Sequence, residues 1–260
     1  MVSLDNLSGW CRTLRVMRLT ILGSNGTYPT PGHPTSGYLL QHEGTSIWMD
    51  TGSGSFAALQ TVIDFVTLDA LIVSHVHADH CIDVLGFYHA VKYGSRPRIG
   101  IPTYVPAGLA ERLKGFLGDP DHSLGETLDF RIQDDSGHAT IGGIEVDFAI
   151  TDHSVPTLGV RAEAGTGRVL AYSADTGPEG YWSRIAAGAD LFLCEATYQG
   201  LTDEKPWSHH LTAGEAGQIA RAVGAKTLML THIWRRSIRS DPCRKRSTRS
   251  GGRSGSRCPG

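Results

Sequence analysis

The histidine-rich run SHVHADH at residues 74–80 constrains the fold of this 260-residue chain more than any other segment. It places three imidazoles and one carboxylate directly after the apolar run DALIV at residues 69–73. His75 and His77 lie two residues apart in an extended segment, so their side chains point to the same side. Neutral imidazole and carboxylate are ligands that zinc and similar divalent ions accept. We therefore predict a metal site at the end of a buried strand, where a turn brings Asp79 and His80 toward a second metal.

Three further polar residues stand at equivalent places in the sequence. His153 follows the apolar segment 144–150, Asp175 follows 168–173, and His232 follows 227–230. In layered α/β folds, functional sites gather beyond the carboxyl ends of the strands. One histidine after one strand is weak evidence, but four strands that deliver ligand-type residues at the same end predict a shared site.

The rest of residues 17–234 alternates short apolar segments with amphipathic ones, separated by Gly, Pro, Asn and Asp. Early hairpin-like strands followed by β–α alternation predict a layered α/β sandwich. The predicted strands are Arg18–Leu22, Tyr38–His42, Ser46–Asp50, Ala70–Val73, Ile101–Val105, Ile144–Ile150, Arg168–Ser173, Leu191–Cys194 and Thr227–Leu230. The predicted helices are Phe56–Phe65, Asp83–Tyr93, Ala107–Leu117, Pro178–Ala187 and Thr212–Val223.

The bulk composition favours a folded protein outside the membrane. Hydrophobic residues make up 40% of the chain, and no apolar run approaches the ~20 residues that span a bilayer. Residues 1–16 form an N-terminal extension without the apolar core of a signal peptide, so we expect a cytoplasmic protein. The five cysteines show no disulfide pattern. Cys81, directly after the histidine run, is either a ligand or, as we favour, a small buried residue.

The last segment, residues 235–260, has a different character. It is rich in Arg, Ser and Gly and holds one large aliphatic residue, Ile238. Such a segment buries too little apolar surface to offset its ordering entropy, so we predict a disordered tail, with a nucleic-acid-binding arm as the alternative. The segment contains nine of the 24 basic residues and one of the 26 acidic ones, which leaves a net charge of −10 on residues 1–234. An acidic body is a poor electrostatic partner for long nucleic acid.

Taken together, the HxHxDH run, His153, the SADTG segment at 173–177 and the TH pair at 231–232 resemble the metallo-β-lactamase superfamily. The resemblance extends from about residue 19 to 232 and implies an αββα four-layer sandwich in one domain, residues 17–234. It also implies two metal ions, with Asp175 bridging them. By this resemblance the first metal is held by His75, His77 and His153, and the second by Asp79, His80 and His232. Ala174 departs from the usual glycine, a mild change unless this position needs a positive φ.

Finer segments indicate a branch of that superfamily. LGSNGTYP at 22–29, SGYLL at 36–40, CEAT at 194–197 and HLT at 210–212 are similar to the ribonuclease Z group, and especially to atypical cyclic-nucleotide phosphodiesterases of actinobacterial type. The resemblance makes His210 an acid that faces the leaving group and Glu195 a residue behind the ligands. A surface histidine and a helix-capping carboxylate are the plain alternatives for these two. We expect Asp50 to fix loop geometry rather than to touch metal.

These features predict a hydrolase with two divalent ions, zinc by preference and Mn²⁺ as an alternative. Asp79 and His210 are its expected catalytic residues. A small phosphodiester such as a cyclic nucleotide is favoured over RNA, because no Gly/Pro-rich arm for gripping tRNA interrupts residues 153–210 and the body is acidic. A tRNA 3′-end processing endoribonuclease and a non-catalytic metal-binding relative stay open as alternatives, as does a homodimer.

Overall fold

Two six-stranded sheets form the centre of the computed structural model, which describes residues 16–118, 123–180, 182–200 and 205–234. The first sheet has the order β1-β2-β3-β4-β5-β6 and the second the order β12-β11-β10-β9-β8-β7. Each sheet starts antiparallel and becomes parallel along the chain. The strands of the first sheet are β1 Arg18–Gly23, β2 Gly37–His42, β3 Thr45–Thr51, β4 Ala70–Ile72, β5 Ile101–Pro106 and β6 Leu128–Gln133. Those of the second are β7 His138–Ile141, β8 Ile144–Ile150, β9 Leu158–Ala164, β10 Val169–Tyr172, β11 Leu191–Glu195 and β12 Leu228–Thr231.

The helices fall into two groups, one for each sheet. Those of the first half are α1 Ser55–Leu59, α2 Ala78–Cys81, α3 Asp83–Tyr93, α4 Leu109–Leu117 and α5 Ser123–Thr127, with a 3₁₀ turn at Phe65–Thr67. Those of the second half are α6 Trp182–Ala186 and α7 Ala213–Ala222. Helices α6 and α7 contact strands of the second sheet, whereas α4 and α5 contact strands of the first.

Alternating side chains along the strands separate three hydrophobic layers. In β3, Trp48 joins the cluster under the first-half helices, while Ile47 and Met49 join the cluster between the sheets. In β11, Phe192 packs toward the second-half helices and Leu193 between the sheets. This period of two places apolar residues on both faces of each sheet, so each sheet is covered on both sides. The predicted αββα sandwich is confirmed.

The predicted elements differ from the observed ones where local chemistry competes with the apolar pattern. The predicted helix Phe56–Phe65 is a short α1 and a separate 3₁₀ turn, because the Asp64 side chain caps that turn by accepting from the Val66 N–H. Strands β6, β7 and β9 were not predicted. β9 contains glycine, alanine and glutamate, which favour strands weakly, and its ladders with β8 and β10 supply the stabilisation.

Most of the predicted N-terminal extension 1–16 and the whole predicted tail 235–260 lie outside the described residues. Within the part that is described, no helix has the length and apolar character needed to cross a membrane.

Asp190 ties together three strands of the second sheet. Its carboxylate accepts from the Arg168 and Lys226 side chains and from the Val169 N–H at 2.8–2.9 Å. The bond from Lys226, followed by those from Val169 and Arg168, lowers the pKa of Asp190 to about 2. The stabilisation from this ionised carboxylate is therefore complete above the unfolded pKa of ~3.9 and is lost as the pH falls toward 2.

We predict that Asp190→Asn lowers the free energy of unfolding by ~1 kcal/mol at pH 7, because a charge-assisted bond on a partly exposed group is weakened by solvent. The difference from the parent chain should shrink as the pH falls from 4 to 2. Urea unfolding at several pH values measures both. Asp129→Asn, which removes an exposed ion pair with Arg131, is the control and should change stability little. An equal deficit at pH 2 and pH 7 would contradict the role of the charge.

Candidate metal centre

All seven predicted ligands converge at one edge of the sandwich, beyond the carboxyl ends of four strands. β4 leads into the segment with His75 and His77, and the short helix α2 turns Asp79 and His80 back into the same space. β8, β10 and β12 deliver the others. Their ligand atoms form two groups with separations below 4.8 Å: His75, His77, His153 and Asp175 in the first, and Asp79, His80 and His232 in the second.

The first group consists of three imidazoles and one carboxylate oxygen. Nδ1 of His77 lies 3.1 Å from Nε2 of His75 and 3.2 Å from Nε2 of His153. Oδ2 of Asp175 lies 3.6 Å from Nε2 of His75 and 3.9 Å from Nε2 of His153. Four potential donors thus point into one small volume, which is the arrangement of a metal site rather than of a hydrogen-bonded chain.

The second group faces the other oxygen of the same carboxylate. Oδ1 of Asp175 lies 3.2 Å from Nε2 of His80 and 3.4 Å from Nε2 of His232. Oδ2 of Asp79 lies 3.2 Å from Nε2 of His232 and 3.7 Å from Nε2 of His80. Asp175 therefore stands between the two groups, with one oxygen toward each.

Two buried atoms test whether this cluster fits a metal. Nε2 of His80 and Oδ1 of Asp175 are both inaccessible to solvent, and although they lie 3.2 Å apart, neither has a partner in hydrogen-bond geometry. A buried polar atom without a partner costs ~1–3 kcal/mol. A divalent cation between them would satisfy both, so the donor set fits divalent metal binding. Cys81 is not in either group: its thiol donates to the Val76 carbonyl, and burial raises its pKa to about 12.

The electrostatics differ between the two groups. Burial lowers the pKa values of His75, His77 and His153, which keeps their imidazoles neutral and ready to bind metal. Burial also acts against charge on His80 and His232, but nearby carboxylates, that of Asp175 first, outweigh it and raise both pKa values. Binding of a cation at the second group therefore competes with protonation of these imidazoles.

Asp50 holds the first-half ligands from behind. Its buried carboxylate accepts from Nδ1 of His80 at 2.7 Å, and from the backbone N–H and hydroxyl of Ser74 at 2.7 and 2.9 Å. The Ser74 hydroxyl also lies 2.9 Å from Nδ1 of His75. The Tyr172 hydroxyl, from the second sheet, donates to the same carboxylate at 2.6 Å. Asp50 thus makes its contacts with Ser74, His80 and Tyr172 behind the ligand atoms, and its role in shaping the site stays a prediction.

Glu195 has the matching position in the second half. Its fully buried carboxylate lies 3.0 Å from Nδ1 of His210 and accepts from the Thr197 hydroxyl at 2.7 Å. That hydroxyl also lies 2.8 Å from Nδ1 of His232. The ring of His210 is parallel to that of His232, with centroids 5.5 Å apart. With Nδ1 of His210 engaged by Glu195, its other ring nitrogen is left for the site. His210 also forms a third potential ligand group with Asp175 and His232.

The structure adds supporting residues that the sequence reasoning missed. The Thr27 N–H donates to Oδ2 of Asp79 at 2.7 Å. A Cβ at Gly26 would come within 2.9 Å of the His232 ring and carbonyl oxygen. Ser74 and Thr197 had a signal, because each adjoins a motif residue in the sequence. Thr27 and Tyr172 had none, because only the fold brings them to the site.

Backbone strain concentrates at this edge. Asp50, Ala174 and His232 have φ values of 53°, 52° and 52°, in the left-handed region that side chains usually avoid. The position of Ala174 therefore does require positive φ, so the exchange of glycine for alanine costs backbone energy here.

Comparisons with known proteins agree with this site. The sequence profile of the β-lactamase superfamily domain matches residues 45–233. An uncharacterised protein of Mycobacterium tuberculosis is 34% identical over 227 residues, covering 85% of this chain and 82% of its own length. The probable metallo-hydrolase YhfI of Bacillus subtilis is 29% identical over 84% of this chain and 87% of its own length.

The crystal structure of YhfI superimposes with a TM-score of 0.74, at 27% identity, over 88% of this chain and 90% of that one. A ribonuclease Z of Alkaliphilus oremlandii is 25% identical over 84% of this chain and 86% of its own length. The profile match spans the whole site, from the segment with His75 to His232.

We predict that Asp50→Asn weakens metal binding by ~10–100-fold, because His80 loses the charged acceptor that orients its ring. Chelator competition followed by metal analysis measures the affinity. Asp69→Asn is a matched control. Asp69 also accepts from a backbone N–H in the first sheet, that of Ser46, but it is not hydrogen-bonded to a candidate metal ligand. Unchanged affinity in Asp50→Asn would refute the orienting role.

Proposed function

The chain belongs to the β-lactamase superfamily, and from this premise we propose that it is a hydrolase of phosphodiesters that uses two divalent metal ions. One observation carries the proposal: the buried carboxylate of Asp175 presents one oxygen to a group of three histidines and the other to a second group. When bound, two such ions make water a nucleophile at neutral pH and withdraw negative charge from phosphate oxygens.

In this proposal each half of the site holds one ion. His75, His77 and His153 would hold the first, and Asp79, His80 and His232 would hold the second, with Asp175 available to both. Imidazole and carboxylate ligands suit zinc, our preferred metal, and also accept Mn²⁺.

Asp79 and His210 are the proposed catalytic residues. The Thr27 N–H fixes Oδ2 of Asp79 at 2.7 Å, so this carboxylate is held in one orientation, from which it can align the attacking water. Nearby His80 and His232 keep the Asp79 pKa below its usual range although burial opposes this, so the carboxylate is ionised. His210, held through Nδ1 by Glu195, presents its other nitrogen as the proton donor to the departing oxygen.

A small phosphodiester, such as a cyclic nucleotide, is the proposed substrate. The net charge of −10 on residues 1–234 disfavours a long polyanion. The ribonuclease Z relative supports the alternative, tRNA 3′-end processing. A fold alone does not fix the substrate, so the choice between the two rests on assay.

The purified full chain, loaded with zinc or manganese, tests the proposal on 3′,5′-cyclic AMP, bis(p-nitrophenyl) phosphate, a precursor tRNA and a chromogenic β-lactam. We expect turnover of the two small diesters, its loss on chelation and its return with added metal. Asp79→Ala should lower kcat at least ~100-fold, and Asp129→Ala, a surface carboxylate, should leave it unchanged. Cleavage of the lactam alone, or full diester turnover by Asp79→Ala, would overturn the proposal. Two bound metals without hydrolysis of any diester would favour the non-catalytic alternative.

The effect of His210→Ala on kcat should depend on whether the leaving group of the substrate needs a proton. On cyclic AMP, whose ribose alkoxide needs a proton, we expect kcat to fall ~10²–10⁴-fold. On bis(p-nitrophenyl) phosphate, whose nitrophenolate leaves without a proton, the loss should be much smaller. Steady-state kinetics and metal analysis measure both, and His138→Ala, an exposed histidine paired with Asp147, is the control. Equal losses on both substrates together with lost metal would make His210 a ligand instead of an acid.

A further inference from the structure

Three aromatic residues form a cluster beside His210. The Tyr198 ring lies 6.5 Å from the His210 ring and 6.3 Å from the Trp234 ring, measured between centroids. The Trp234 ring in turn lies 5.5 Å from that of Trp207, at an angle of 48°. Each of the three is close in sequence to a site residue: Tyr198 follows Thr197, Trp207 precedes His210 by three residues, and Trp234 follows His232 by two. The cluster is therefore continuous with the candidate metal centre.

Exposure differs strongly within this aromatic cluster. Tyr198 is 4% exposed, whereas Trp207 is 53% exposed. An indole with half of its surface in water is an unusual feature next to a buried polar site, because Trp is highly buried on average. Tyr198 fills the interior position, and the exposed part of the Trp207 ring is accessible to a ligand.

The cluster is held by the backbone on both sides. The backbone N–H of Trp207 donates to the Tyr198 hydroxyl at 3.2 Å. The backbone N–H of Trp234 donates to the Thr197 carbonyl at 3.4 Å. The Gln199 side chain donates to the Trp234 carbonyl at 3.1 Å. Both indoles thus project from main chain that is tied to the segment carrying Thr197. The main chain that carries both indoles is therefore held in place, which reduces the ordering that binding of a planar ligand requires.

We infer that Trp207 is a stacking platform for the base of the nucleotide whose ribose oxygen departs from phosphorus. The inference rests on the proposed function, in which His210 protonates the departing oxygen. The ribose that carries the departing oxygen must then lie on the His210 side of the phosphorus, and the aromatic cluster contacts His210 through Tyr198. Stacking on an aromatic ring binds a neutral base and needs no positive charge. This suits residues 1–234, which carry a net negative charge. The site is thereby assigned to nucleotides rather than to phosphodiesters in general.

Calorimetric titration of the metal-loaded full chain with 5′-AMP and with ribose 5-phosphate tests the platform, because the two probes differ only in the base. We expect AMP to bind at least ~5-fold more tightly. Trp207→Ala should raise the Kd for AMP ~5–150-fold and leave that for ribose 5-phosphate unchanged. Trp207→Phe should stay within a few fold of the parent chain. Trp207→Leu, which keeps bulk without an aromatic face, should behave as alanine and serves where the alanine variant does not fold. Phe116→Ala, 72% exposed on α4, an element without candidate ligands, is the matched control.

Equal Kd values for AMP and ribose 5-phosphate in the parent chain, or no measurable AMP binding, would overturn the inference. So would a parallel loss of both ligands in Trp207→Ala together with a lower Tm, the signature of a packing role. Hydrolysis of cyclic AMP is measured separately. If it is absent while base discrimination depends on Trp207, the proposed function fails and the stacking platform stands.

Discussion

The buried carboxylate of Asp50 is the contact on which the candidate site depends most. It lies in β3 of the first sheet, and it accepts hydrogen bonds from Ser74, His80 and, across the sandwich, Tyr172. A carboxylate without these donors would be very costly in an apolar interior, and with them it is satisfied. One residue therefore sets the position of the first histidine segment relative to both sheets. The four-bond environment also explains why its own backbone tolerates a positive φ.

Glu195 repeats this device in the second half of the chain. Asp50 acts on His80 directly and on His75 through a hydroxyl, and Glu195 acts on His210 directly and on His232 through a hydroxyl. Each buried acid thus fixes one imidazole and polarises a Ser or Thr that reaches another. Because partners behind the ligands fix the tautomer and orientation of the rings, each half of the site has its own buried acid, and the two halves meet at Asp175.

The same edge collects most of the backbone strain in the described part of the chain. Four of the five non-glycine residues with positive φ there are Thr27, Asp50, Ala174 and His232, and all belong to the site or contact it. Each costs roughly 1–2 kcal/mol. Such positions persist only where the surroundings over-determine them, and they mark sites where geometry outweighs stability. Nε2 of His80 and Oδ1 of Asp175, which make no hydrogen bond, lie at the same edge, where a divalent cation would satisfy both.

The sequence by itself determined the layered fold and the seven candidate ligands, because both follow from local patterns: an apolar strand fixes the core, and polar residues at its end can only gather at one edge. It also pointed to Asp50, Glu195 and His210, through similarity to a family. The tertiary structure alone decided which atoms face each other, because pairs such as Thr27 with Asp79 or Tyr172 with Asp50 are 52 and 122 residues apart. The tertiary structure also brought the rings of Trp207 and Trp234 together, a contact that no periodicity in the sequence predicts. Long-range contacts of this kind leave no mark on neighbouring residues, since they arise from the packing of strands that the local sequence does not orient.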